Sequence, residues 1–139
     1  MKAFKIFLFV LTAYLITDCE SYPINPAPAK YQLVGEWLWL SRTGGITGGT
    51  ITPNEGTKQT IKFSPDSLYS VYSNDSLIYR YNFNMQKKRT IYSVDSLDVI
   101  CFQSMSMSGQ RVILRLTYDT LMLGDNLVDG YTYLYKKVE

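Results

Sequence analysis

The sequence predicts an all-β protein, an antiparallel up-and-down meander of eight or nine short strands closed into a small barrel, with a β-sandwich as the alternative. Tyrosine is abundant, with 12 residues against 6 Phe and 2 Trp, and it favours strands because its ring packs well on a pleated surface. Apolar and polar residues alternate after residue 33, and no sustained helical periodicity is present. Finally, Asp-Ser-Leu recurs at 66–68, 75–77 and 95–97, a composition typical of turns.

The alternation assigns side chains to two faces of each strand. In residues 76–83 the bulky residues at 77, 79, 81 and 83 share one face. In residues 111–117, Val112, Leu114 and Leu116 oppose Arg111 and Arg115. A period of two is typical of antiparallel sheets that have one buried and one wet face.

Short connections between these runs indicate that consecutive strands are neighbours. We expect strands near residues 33–42, 57–64, 68–73, 76–85, 89–93, 97–103, 110–117, 120–124 and 131–138. A set of this size has to protect its edge strands, which a closed barrel does completely. The glycine-rich residues 43–53 form the longest connection, and we expect a flexible loop at the barrel mouth there.

The first 32 residues read as targeting and tether segments, followed by a domain at 33–139. Lys2 and Lys5 precede an apolar run at 6–16, which is typical of a signal peptide over residues 1–18 and too short to span a bilayer. The following Leu-Ile-Thr-Asp-Cys at 15–19 resembles a bacterial lipobox. That resemblance implies a lipid on Cys19, with a proline-containing tether over 19–32. A conventional signal peptide with an incidental cysteine is the alternative.

Charge and residue usage narrow the classes of function. The net charge is +2 without a concentrated basic face, so we expect no nucleic-acid partner. Histidine is absent, and no metal motif occurs. We therefore expect no enzyme, no cofactor and no metal site. The acidic pairs Asp95/Asp98 and Asp125/Asp129 stand in turn contexts, where aspartate is common.

Residues 33–138 resemble the small lipocalin-like lipoproteins of Gram-negative bacteria. Gly35-Glu36-Trp37 resembles the lipocalin Gly-x-Trp signature, and Thr-Ile-Thr-Pro at 50–53 and Asp-Gly-Tyr-Thr-Tyr at 129–133 follow in matching order. The resemblance implies a barrel in which Gly35 and Trp37 close the base beneath a cation from the last strand, Lys136 or Lys137. We expect a monomer in the cell envelope, anchored through the lipid on Cys19 to a membrane, for which we expect the outer membrane.

Two functions remain open from the sequence. The first is a module that binds a small apolar ligand inside the barrel. Its candidate inward residues are Trp37, Trp39, Tyr79, Tyr81, Phe83, Leu114 and Tyr133. The second is a structural or protein-interaction module with a filled barrel, acting through residues 43–53 and the Met-containing residues 104–108.

Overall fold

A computed structural model describes residues 29–103 and 109–139 of the chain. The described parts contain one short helix and nine strands. In chain order these are α1 (Ala29–Leu33), β1 (Gly35–Gly44), β2 (Gly49–Ile51), β3 (Gln59–Phe63), β4 (Leu68–Ser73), β5 (Ser76–Thr90), β6 (Ser93–Phe102), β7 (Gln110–Leu116), β8 (Thr120–Gly124) and β9 (Tyr131–Lys137). Within these ranges, no helix has the length and apolar character needed to cross a membrane.

The sheet closes because β1 pairs with strands on both sides. It pairs with β3 through Gly35–Leu38 and with β9 along Trp37–Gly44, both antiparallel. From β3 to β9 each strand pairs with the next one in the chain. The short β2 pairs only with the end of β1, beyond the ring. The expected antiparallel meander closed into a barrel is confirmed, and the sandwich alternative is excluded.

Several boundaries differ from the sequence-based expectation, and Asp-Ser-Leu at 95–97 lies inside β6 rather than in a turn. Residues 89–93 are not a separate strand, because β5 continues to Thr90 and pairs with β6 across a two-residue turn. Residues 43–53 include the β1–β2 hairpin, whose turn has a Gly48 N to Gly45 O hydrogen bond of 3.0 Å. The sequence-based expectation of a flexible loop did not include this pairing. Helix α1, Ala29–Leu33, also includes residues of the segment that was expected to be only a tether.

The apolar core fills one end of the barrel. Leu33 of α1 and Trp37 of β1 are fully buried there. The buried cluster consists of Leu33, Trp37, Ile61, Phe63, Phe83, Ile100, Leu121, Leu123 and Tyr135. We call this end the base, and α1 covers it.

A β-bulge in β7 changes which side chains face the core. The pairing with β8 shifts between Ile113 and Arg115, so Leu114 lies at the irregularity. Before the shift, Ile113 is opposite the core residue Leu123; after it, Leu116 is opposite the core residue Leu121. Strand alternation then places Val112 on the outer face and Arg111 on the inner one. The expectation that Val112, Leu114 and Leu116 share the inner face is therefore wrong.

The tip of the β5–β6 hairpin explains why apolar residues occupy the outer face of β7. Val112 is completely buried although it faces away from the core. Tyr92 of the hairpin turn lies over Gly124, the pairing partner of Val112. The Tyr92 hydroxyl donates to Asp125 O at 2.8 Å, and Ile91 N donates to Asn126 Oδ1 at 2.9 Å. The hairpin tip thus provides this outer surface with a second, small apolar layer.

Candidate functional site

The base of the barrel is sealed around Trp37. Its indole Nε1 donates to Leu33 O at 2.9 Å, and Lys137 Nζ lies 4.6 Å from the centre of its ring. Lys137 Nζ also donates to Val34 O at 2.8 Å. Gly35 has φ +137°, and a Cβ added there would lie 2.7 Å from Lys137 Cε. Glycine is therefore required for this close approach of the lysine.

Of the two lysines named from the sequence, Lys137 supplies the cation at the base, and Lys136 does not. Lys136 is exposed and is opposite Leu38 and Thr120. The reason is the alternation of β9. Because Tyr135 faces the core, Lys136 has to face solvent and Lys137 returns to the inner side.

Above the core the barrel holds a cavity of about 370 Å³, which we call the cup. Ile61, Leu123 and Tyr135 belong to both the core and the cup, so they form its floor. Gln59 and Tyr79, which are exposed, mark the side open to solvent. The lining consists of Trp39, Arg42, Gln59, Thr60, Ile61, Tyr69, Val71, Tyr79, Arg111, Leu123, Tyr133 and Tyr135.

The residues expected in a ligand pocket separate into three groups. Trp39, Tyr79 and Tyr133 line the cup. Phe83 instead packs in the core, edge-on to Phe63 at 5.2 Å between ring centres. Tyr81 lies outside the lining, with its ring 5.1 Å from that of Tyr79.

Leu114 is not in the cup. A Cβ on Gly124 would lie 2.9 Å from Leu114 Cδ1 and equally close to the Tyr92 ring, which places Leu114 under the hairpin tip. The β7 bulge is the physical reason, since the extra residue reverses the alternation at this point.

Arg42 is a cup residue that the sequence did not indicate. The pairing of β1 with β9 shifts between Trp39 and Ser41, so that Trp39 is opposite Tyr135 and Arg42 is opposite Tyr133. Residues three apart in a regular strand face opposite sides, and the bulge brings both side chains to the inside. The guanidinium of Arg42 lies 4.9 Å from the centre of the Tyr131 ring. Among the described residues, no carboxylate is within ion-pairing distance of Arg42.

Arg111 is the second cation that the sequence analysis missed. Its Nη1 lies 2.8 Å from Asp125 Oδ1, and its guanidinium lies 5.0 Å from the centre of the Tyr133 ring. Asp125 Oδ2 accepts a hydrogen bond from Tyr131 N at 3.0 Å. Asp125 therefore orients a cup arginine and fixes the β8–β9 turn.

The cup is rich in hydrogen-bond donors. Burial raises the pKa of Tyr69, Tyr79, Tyr133 and Tyr135 above the usual value, so all four hydroxyls carry their proton at neutral pH. Trp39 Nε1 and Arg42 Nε are buried without a hydrogen-bond partner. Both of these groups can only donate.

Other candidate positions contribute no further site in the described parts of the chain. Residues 29–103 and 109–139 contain no group of three or more His, Cys, Asp or Glu side chains that could hold a metal ion. Asp98 pairs with Lys87 at 3.0 Å on the exposed β5–β6 hairpin. Cys19, the expected lipid-attachment residue, and residues 104–108 lie outside the described residues.

No protein-family model, curated protein or solved structure matches the chain significantly. The resemblance to lipocalin-like lipoproteins consequently stays a prediction from the sequence motifs.

Proposed function

We propose that the chain is a non-catalytic binding protein that holds one small ligand in the cup and is tethered to a bacterial envelope membrane through Cys19. The observation that carries the binding proposal is the division of the barrel interior. One end is a packed core beneath α1, and the other is a cavity of about 370 Å³. Ligand pockets in proteins commonly have volumes of about 300–1,000 Å³.

The lining of the cup supports binding of an organic molecule. Trp39, Tyr69 and Tyr133 offer flat aromatic surfaces, while Val71 and Leu123 supply aliphatic contacts. Such a wall packs against an apolar body, and a few polar groups fix its orientation. In the described part of the chain the base is sealed, and the cup opens on the opposite, solvent-facing side.

The alternative of a barrel acting only through its surface has less support. A completely filled barrel would place side chains where the cup lies. Of its two expected contact segments, residues 43–53 form a paired hairpin with Ile46 exposed at the turn. Ile51 of this segment is exposed as well, and scattered exposed apolar residues are ordinary for a protein surface.

The membrane tether is supported by the sequence alone. The basic start, the apolar run and the lipobox-like residues before Cys19 are those of an exported lipoprotein. Acyl chains contribute about 0.8 kcal/mol per buried CH₂, so multiple chains hold a protein firmly on a bilayer.

Native mass spectrometry of the full chain, isolated from its own membranes, tests the binding proposal. We expect the protein to carry an additional organic mass that solvent extraction removes. Val71→Trp fills the cup from a half-buried lining position and should abolish that additional mass.

The matched control is Met122→Trp, because Met122 lies between two inward residues of β8 and so faces outward. This variant should keep the additional mass, and circular dichroism should show both variants folded. A wild-type chain without any additional mass, or a Val71→Trp chain that retains it, would contradict binding in the cup.

A further inference from the structure

We infer that the cup selects a small monoanion, a carboxylate attached to an aromatic or aliphatic body, and that Arg42 and Trp39 hold the carboxylate. This inference rests on the proposed function, since it names the chemical class of the ligand in the same cup.

The first argument concerns hydrogen bonding. Trp39 and Arg42 both line the cup, and Trp39 Nε1 and Arg42 Nε have no hydrogen-bond partner in the described structure. A buried donor left unsatisfied costs about 1–3 kcal/mol, so native structures usually provide a partner for it. Because the indole and guanidinium groups can only donate, a ligand that reaches either side chain has to supply acceptor atoms. A carboxylate supplies two oxygens and no donor, which makes it the simplest match.

The second argument concerns charge. Two guanidinium groups, Arg42 and Arg111, line the cup, and one carboxylate, Asp125, pairs with Arg111. The neighbouring tyrosines are neutral at pH 7 because burial raises the pKa of their hydroxyls. The cup therefore has an excess of one positive charge. A ligand with one negative charge compensates it, whereas a cationic ligand would add to the repulsion.

The third argument concerns the position of Arg42. The β1 bulge between Trp39 and Ser41 turns Arg42 inward, where the unperturbed strand would have placed it in solvent. Bulges of this kind commonly re-aim a side chain next to a functional site. The Tyr131 ring at 4.9 Å holds the guanidinium in place without neutralising its charge.

The size of the cup limits the body of the ligand. A volume of about 370 Å³ lies at the small end of the range of about 300–1,000 Å³ that ligand pockets commonly have. This favours a small organic body in contact with Tyr69, Tyr133 and the floor. Long-chain lipids are too large to be enclosed.

Three probes that share one skeleton test the inference: 3-phenylpropanoate, 3-phenylpropanol and 3-phenylpropylammonium. The full chain is reconstituted in nanodiscs, and binding is followed at pH 7 by ligand-observed NMR, with empty nanodiscs as the blank. Hydrogen bonds to charged groups are roughly twice as strong as neutral ones. We expect the carboxylate to bind at least about tenfold more tightly than the alcohol, and the ammonium to bind most weakly.

Arg42→Met removes the charge and the Nε donor while keeping most of the aliphatic stem. It should lower carboxylate affinity by about tenfold and change alcohol affinity by less than about twofold. The matched control is Arg115→Met, because Arg115 is exposed beyond the β7 bulge. That variant should leave the affinities of all three probes unchanged.

The outcomes separate the two proposals. Equal binding of the carboxylate and the alcohol, or a carboxylate preference that survives in Arg42→Met, would overturn the anion inference and leave the binding function standing. If none of the probes binds at millimolar concentration, the cup does not take ligands of this size, and the proposed function fails together with the inference.

Discussion

Replacing Lys137 by Met tests the closure of the base most directly. The wild-type ammonium lies 4.6 Å from the centre of the Trp37 ring and donates to Val34 O at 2.8 Å. Methionine has a similar length and covers the same apolar surface, so the variant removes the charge and the donor with little change in packing.

The expected cost follows from these two contacts. A cation–π contact contributes about 0.5–1 kcal/mol where solvent reaches the cation, and Lys137 is only half-buried. A hydrogen bond from a charged donor contributes about 1.5–3 kcal/mol when fully buried, and partial exposure lowers this because water can replace the lysine at Val34 O. Together they predict a loss of about 1–2 kcal/mol in the free energy of unfolding.

Urea denaturation, followed by circular dichroism and indole fluorescence, measures this loss as a shift of the transition midpoint at constant slope. Lys136→Met is the matched control, because Lys136 is exposed on the outer face of the same strand. Surface substitutions of this kind usually change stability by less than about 0.5 kcal/mol. Equal losses in the two variants, or a larger loss in Lys136→Met, would refute the assignment of Lys137 as the cation over Trp37.

Two further predictions concern the buried tyrosines and the anchor. Burial raises the pKa of Tyr69 and Tyr135 in the native state above the unfolded value of 10.0. Their contribution to the free energy of unfolding is therefore complete below pH 10. It is lost as the pH rises further, because these tyrosines ionise first in the unfolded chain. The free energy of unfolding should fall by about 2–3 kcal/mol between pH 9 and 11, and ionisation of every tyrosine near pH 10 in a spectrophotometric titration would disprove the burial argument. Cys19→Ala should move the protein from the membrane fraction to the soluble fraction, whereas Cys101→Ala should not; a Cys19→Ala chain that stays with the membranes would show that Cys19 is not the anchor.

The general architecture was accessible from the sequence because it depends on local patterns. Alternating residues specify strands, and short polar turns force consecutive strands to pair. Closure followed from the need to protect edge strands. The Gly-x-Trp residues also pointed to the closed end of the barrel, since Trp37 contacts Lys137 there and Gly35 makes room for that lysine.

The composition of the cup was less accessible from the sequence because β-bulges decide which side chains of β1, β5 and β7 face inward. The alternation of residues around Arg111 assigns polar and apolar side chains to opposite faces of β7, as the structure has them. The polar face, however, is the one that faces the inside of the barrel at Arg111. The apolar side instead packs beneath the β5–β6 hairpin, a contact with residues far away in the chain. A two-residue alternation divides the side chains of a strand between two faces, but it does not specify which face is buried by the rest of the protein.

What the sequence by itself determined is an antiparallel β meander that starts with a base-closing tryptophan. What only the tertiary structure decided is which side chains line the cup and which lysine reaches Trp37. Each β-bulge adds one residue to one strand and reverses the faces of every residue beyond it. Its position depends on pairing with neighbouring strands, as for Arg42 across from Tyr133, so no local pattern in the sequence reveals it.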